Sequence, residues 1–376
     1  MMALTFGLSS LVLLQLIVVR GRWPIGKVLL VFGCGLFVGV VLINAWLQPP
    51  RFLPRATTSG LSMGLAQGIR EGLSDPETSE FVLIDGGSYT ARGVDDQLLE
   101  RGLSGSLKRK VKVLALSLPG GNHYERWSVL RNGLALLDAD TRHRFEQSRI
   151  TLLLEIHSSY DHYPLAQLRK NKYSDRAFAY LQPGVALAAA LADHGPMRQE
   201  LRRKMWVDVL SHGATNAFNV GAFHRFVPSS EVEPGSGYQA LLKPARGYRY
   251  RGMRKAAAAF RERSANFPAG FPEKNIEARR RRIYKLLAAR RPVRTIYYST
   301  PSLNGGDLLY SYAFCRRFTQ YACIDHAKWQ LLKRLDSKDM WYDNVHMQRR
   351  GAELYSAWLA RQLAVEMSRD RTEATR

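Results

Sequence analysis

The sequence predicts an α/β fold, with a parallel sheet of about five strands covered by helices on both faces and a transmembrane hairpin ahead of it. Three observations carry this expectation. Five apolar runs have strand length, stretches of helical period separate them, and two long uncharged apolar runs fill most of the first fifty residues. At 376 residues and 46% hydrophobic content, the chain has room for one large domain with extras and can bury a substantial core.

In chain order, residues 3–19 and 28–46 each approach the ~17 to 25 residues that span a bilayer. Between them lies a short loop carrying Arg20, Arg22 and Lys27. A signal peptide fits poorly, because no basic residue precedes the first run and no small-residue cleavage site stands before Arg20. A hairpin over residues 1–50 is the reading, and a single anchor is the alternative. With the basic loop in the cytoplasm both ends lie outside it, although Arg51 and Arg55 on the far side blunt that asymmetry. Pro49, Pro50 and Pro54, followed by Thr58, Ser59 and Gly60, predict a linker over 51–78.

A folded domain is expected over 79–370. Its strands are predicted at 81–85, 111–117, 150–156, 293–298 and 321–325, with helices at 94–101, 124–137 and 307–318. The interval 163–292 is far longer than one crossover needs. Helical patterns at 197–210 and 277–290 mark it as a helical insertion.

The formal net charge is +23, and only Arg20, Arg22 and Lys27 of that surplus fall in residues 1–50, which hold no acid. A field this basic points to polyanionic neighbours: nucleic acid, anionic lipid headgroups or an acidic envelope polymer. No nucleic-acid motif is present, and a membrane hairpin favours the other two. The richest basic segment, 277–294, reads equally as a solvated helix face or as a contact for anionic groups. Tyr248 and Tyr250, interleaved with Arg246, Arg249 and Arg251, read as a plain loop or as rings for stacking on sugars. Cys315 and Cys323, eight residues apart, are either one disulfide or two separate thiols, and Cys34 lies in the second apolar run. No metal-site spacing appears, and no cofactor is expected.

The chemistry concentrates at strand ends. In an open parallel sheet, ligands bind outside the carboxyl ends of the strands. The first predicted strand breaks at Gly86-Gly87 and presents Ser88; the second is followed by Gly120, Gly121 and Asn122, and the third by His157 and Ser158. After the fifth, Asp343 precedes His346 by three residues, a spacing that delivers an imidazole and its orienting carboxylate from one segment. Ser88 is then the candidate nucleophile. The N–H groups of Ser88, Gly120 and Gly121, with the Asn122 amide, are candidate oxyanion donors, and His157 and Ser158 are weaker substrate-binding candidates.

In this order the landmarks resemble the SGNH (GDSL-like) hydrolase superfamily: Gly87-Ser88 its first block, Gly120 or Gly121 its second, Asp343-x-x-His346 with Gly351 its fifth. In style they are similar to the membrane-anchored branch that includes teichoic-acid D-alanyl transfer and alginate O-acetylation proteins. Two departures stand out. Gly86-Gly87-Ser88 stands where hydrolases commonly have Gly-Asp-Ser, and the third-block Gly-x-Asn gives way to Glu155-Ile156-His157-Ser158-Ser159, which leaves Asn122 or Ser158 as substitute donors. The resemblance implies a flavodoxin-like three-layer α/β/α domain with a Ser-Asp-His triad outside the cytoplasm. It also implies an envelope polysaccharide or other anionic glycopolymer as acceptor, and a membrane-bound O-acyltransferase or polysaccharide synthesis complex as partner. A non-catalytic scaffold on the same fold is the rival expectation.

Overall fold

The computed structural model describes Gly35, residues 57–157 except 120 and 122, residue 161, most of 238–258, and residues 271–326 and 329–373. Five strands form one sheet: β1 (Thr78–Asp85), β2 (Lys110–Ala115), β3 (Ile150–Glu155), β4 (Arg294–Tyr298) and β5 (Ala322–Ile324). Their order is β2-β1-β3-β4-β5 and every pairing is parallel. Each expected strand is present.

Strand alternation explains the layers. Phe81 and Leu83 point to one face, whereas Val82 and Ile84 point to the other, and all four are buried. The first face is covered by α1 (Thr57–Ser74), α4 (His123–Ala135), α5 (Ala139–Gln147), α6 (Glu273–Leu287) and α7 (Gly305–Arg317). The second is covered by α3 (Asp96–Leu107), α8 (Trp329–Arg334) and the long α9 (Arg349–Glu373). The short α2 (Ser88–Gly93) follows β1. The result is a three-layer α/β/α arrangement.

Two boundaries differ from the sequence expectation. The expected linker 51–78 is mostly helix, because Leu61, Leu65 and Ile69 recur every four residues and bury one stripe against the sheet. Prolines at 49–54 hid this amphipathic run by suggesting that an irregular stretch continues past them. Residues 277–287, expected within the insertion, belong to α6, whose Ile276, Ile283 and Leu287 are buried in the layer that closes the β3–β4 crossover. Residues 162–237 and both apolar runs, 3–19 and 28–46 apart from Gly35, lie outside the described residues. Among the described residues no helix is long and apolar enough to cross a membrane.

The direction of α1 locates the chain's entry into the domain. Gly72 lies against Phe81 and Lys112 near the strand starts, and Gly68 against Leu114 near the end of β2. Thr57 is eleven residues earlier, about 16 Å along the helix at 1.5 Å per residue. The amino end of α1 is therefore at the carboxyl edge of the sheet, the edge that carries Ser88.

Candidate active site

The strand order reverses beside β1, whose neighbours are β2 and β3, so the carboxyl ends of β1 and β3 flank the switch-point crevice. β1 ends at Asp85, and Gly86-Gly87 leads into Ser88, the first residue of α2. Gly87 has φ −92°, which any residue adopts, so the pair is not needed for a left-handed turn. Gly86 answers to space instead: a Cβ there would strike the side chain of Thr90, whose hydroxyl bonds Tyr298 Oη at 2.6 Å.

Beneath this turn lies a buried ionic floor. Gly87 N–H donates to Glu155 Oε2 at 2.5 Å, fixing the residue before Ser88 to the end of β3. Asp85, 2% exposed, receives Arg279 Nε at 2.8 Å and has Arg126 Nε at 3.2 Å; Arg279 also donates to the carbonyls of Glu155 and Asp85. Asp161 completes the group, accepting from His157 N–H at 2.9 Å and Tyr310 Oη at 3.1 Å. Burial raises its pKa to about 6 even though Arg279 and these hydrogen bonds oppose the shift. Burial, then the charges of Arg279 and Arg126, push His123 well below its ordinary value, so it stays neutral. Burial works against the Arg279 charge, but Asp85, Asp161 and Glu155 outweigh it and keep the guanidinium ionised. A buried cation needs such partners.

The Asp343–His346 segment is held differently. Trp341 and Met347 form an antiparallel bridge, and Tyr342 N–H donates to the His346 carbonyl at 2.9 Å, so the pair sits in a tight hairpin. Trp341 is fully buried and its Nε1 donates to the Leu335 carbonyl at 2.8 Å. Leu303 N–H donates to the Asn344 carbonyl at 2.8 Å and ties the hairpin to the loop after β4. Gly351 is required by close approach, because a Cβ would collide with the Met340 carbonyl. Inside the hairpin, His346 Nδ1 meets Asp343 Oδ2 at 2.9 Å, while Asp343 Oδ1 accepts the Val345 and His346 N–H groups at 2.8 Å each. Burial would raise the Asp343 pKa, but the His346 contact and those two N–H groups hold it below the usual carboxylate range. A carboxylate on Nδ1 selects the tautomer whose Nε2 lone pair is available.

Tyr89 connects the two halves. Its ring centroid lies 5.7 Å from that of His346 and 4.5 Å from that of His157, and its hydroxyl donates to Asp307 Oδ2 at 3.3 Å. The residue after Ser88 thus touches the dyad's imidazole, although no hydrogen bond joins Ser88 to His346. His157 has its Nε2 3.7 Å from Asp307 Oδ1. Gly121 N–H donates to the Leu118 carbonyl at 2.9 Å and closes a turn there. Gly120, Asn122 and Ser158 lie outside the described residues.

Sequence reasoning missed the floor. Arg279 lies in the basic run 277–294, which its sequence marks as a surface, yet it occupies the buried stripe with Ile276, Ile283 and Leu287. Its spacing from those apolar residues was the available signal. Its neighbour Arg280 lies over the rings of Tyr284 and Tyr321 and pairs with Glu277 at 2.8 Å, leaving Arg281 and Lys285 exposed. Tyr248 and Tyr250 turn toward the core instead of outward. Cys315 and Cys323 are disulfide-bonded, with Cα atoms 5.5 Å apart. A further Ser–His contact, Ser299 Oγ to His326 Nδ1 at 2.6 Å, is buried, and burial lowers the His326 pKa to about 3. Among the described residues no cluster of His, Cys, Asp and Glu suits a metal ion.

No protein-family model matches the chain, and no curated protein matches it. Among solved structures, a lipase, Lip_vut3 from a goat rumen metagenome, aligns over 76% of this chain and 97% of its own at 14% identity, with a TM-score of 0.22. A likeness of that size carries no argument about fold or chemistry.

Proposed function

We propose that the chain is a membrane-anchored serine O-acyltransferase or esterase of SGNH type that acts on an envelope polysaccharide or related glycopolymer. The observation that carries this reading is the Asp343–His346 hydrogen bond through Nδ1, on a hairpin whose imidazole meets the ring of Tyr89, the residue after Ser88. Ser88 attacks the acyl carbonyl, and His346 Nε2 takes its proton and then returns it to the leaving oxygen. Asp343 fixes the tautomer and stabilises the imidazolium. The Ser88 N–H, at the first position of α2, stabilises the oxyanion. Water or a sugar hydroxyl resolves the acyl-serine. No cofactor enters the scheme.

The membrane side of the proposal rests on the two apolar runs and on the entry of the chain at the catalytic edge. The Cys315–Cys323 disulfide supports a periplasmic or extracellular domain, since such bonds persist in oxidising compartments. A site there has no direct supply of cytoplasmic acyl donors, so a membrane-bound O-acyltransferase or a polysaccharide synthesis complex is the proposed partner. Labelling with an impermeant thiol reagent tests the topology: a cysteine introduced at Arg55 is expected to react on intact cells and one at Gly21 to stay silent. The reverse pattern refutes it.

A second reading is a non-catalytic scaffold. It is favoured by the lack of a Ser88–His346 hydrogen bond and by the turn that Gly121 N–H closes onto the Leu118 carbonyl. Assay of the full-length protein and Ser88→Ala on an acetyl ester separates the two: activity lost in the variant supports the enzyme, and no activity in either supports the scaffold.

A further inference from the structure

Residues 241–250 contain Lys243, Arg246 and Arg249 and no acid. The segment turns at 245–248, where Tyr248 N–H donates to the Ala245 carbonyl at 3.0 Å and Gly247 takes φ +73°, a conformation suited to glycine. Tyr250 Oη donates to Asp336 Oδ1 at 2.7 Å, and both tyrosines pack on the core cluster of the α9 face. With the aromatic side chains turned inward, Lys243, Arg246 and Arg249 are exposed, and none is paired with an acid among the described residues.

The segment is joined to the dyad hairpin along its outer edge. Ala245 N–H donates to the carbonyl of Tyr342, the residue before Asp343, at 2.9 Å, and Arg349 N–H donates to the Leu241 carbonyl at 2.9 Å. Of the nearby acids, Asp339 pairs with Arg350, Asp336 accepts from Tyr250 Oη and Met253 N–H, and Glu353 stands exposed one turn after Arg349. Arg349 is itself exposed and extends the positive strip. The side of the site next to His346 therefore carries an excess of exposed cations over acids, fixed in place by backbone bonds to the Asp343–His346 hairpin.

We infer that residues 241–250 are a docking rim for a polyanionic glycan, whose carboxylate or phosphodiester groups pair with Lys243, Arg246 and Arg249 and bring a neighbouring sugar hydroxyl toward His346. The inference deepens the acyl-serine reading and takes its acceptor from it. A glycan is favoured over a lipid surface by position. The rim lies on the α9 face of the sheet, whereas the chain enters from residues 1–56 through α1 on the opposite face.

The test uses the full chain in detergent and measures binding to polygalacturonate and to poly(glycerol phosphate), one probe for each anion. The variant K243E/R246E/R249E is compared with R281E/K285E/R290E, a control of equal charge change at exposed positions on or just after α6. Loss of at least tenfold in affinity for one or both polymers, confined to the rim variant, is expected; the polymer affected names the anion. Equal losses in both variants, or an intact rim variant, overturn the proposal. So does loss confined to vesicles of anionic lipid. If charge reversal unfolds the chain, K243Q/R246Q/R249Q decides by the same comparison. Wild-type hydrolysis of p-nitrophenyl acetate, run in parallel, separates the two claims: no hydrolysis with rim-dependent binding refutes the acyl-serine reading and upholds the rim.

Discussion

The two halves of the candidate site are built on opposite physical plans. Ser88 stands over a floor of buried charge, in which Asp85, Glu155 and Asp161 are matched against Arg126 and Arg279 and every member is nearly excluded from solvent. His346 stands on a half-buried hairpin held by backbone hydrogen bonds and one buried indole, with its carboxylate partner only three residues away. The first plan ties the position of Ser88 to the integrity of the core. The second lets the imidazole be replaced at little structural cost. Activity and stability should therefore separate when the two halves are mutated.

The largest effect is expected from removing the groups proposed to react. Ser88→Ala and His346→Ala should each lower the rate constant for ester cleavage by roughly three orders of magnitude or more, with the double variant little worse, because they act as one unit. Asp343→Asn should cost activity on a similar scale, about 10⁴-fold in the best-studied triad, while shifting the melting temperature little. Stopped-flow or steady-state assays beside thermal melts check both halves of that statement.

On the floor the balance inverts. Arg279→Met leaves Asp85 without a principal buried partner and should destabilise the fold by about 3 to 5 kcal/mol, read by urea unfolding. Glu155→Gln retains an acceptor for Gly87 N–H but removes charge, so the expected loss is smaller, on the order of 1 to 3 kcal/mol. Equal stability losses for Arg279→Met and His346→Ala would break the comparison.

The smallest effect concerns pH. The folded-state pKa of Asp161, about 6, lies above its unfolded value near 3.9, so the folded state binds the extra proton between those limits. Asp161 therefore adds stability as pH falls from 7 toward 4, and that gain disappears as pH rises through about 6. Asp343 works with the opposite sign, since its folded pKa is depressed; its contribution is present above the unfolded value and is lost as pH falls through the folded one. Melting curves at pH 7 and 5 should show the wild type gaining on Asp161→Asn by roughly 1.3 kcal/mol. A constant difference would contradict the assignment.

These contrasts also explain what was legible in the sequence. The five strands were readable because buried parallel strands are short apolar runs, such as Phe81 to Ile84 and Leu152 to Leu154. The Asp343–His346 pair was readable because its partners are three residues apart and local spacing encodes the contact. The floor was not, since Asp85, Arg126, Glu155 and Arg279 are far apart in sequence and only the topology brings them together. α1 was missed for a different reason: its apolar stripe begins only at Leu61, after the prolines and small polar residues that resemble a linker.

The central claim is that Ser88 becomes acylated. Intact-mass and peptide spectrometry of the full-length protein, quenched during turnover of p-nitrophenyl acetate, tests it directly. The account predicts an added acetyl group on the peptide containing Ser88, absent from Ser88→Ala and His346→Ala. An adduct on Ser299 beside His326, or one that persists unchanged in Ser88→Ala, would contradict it.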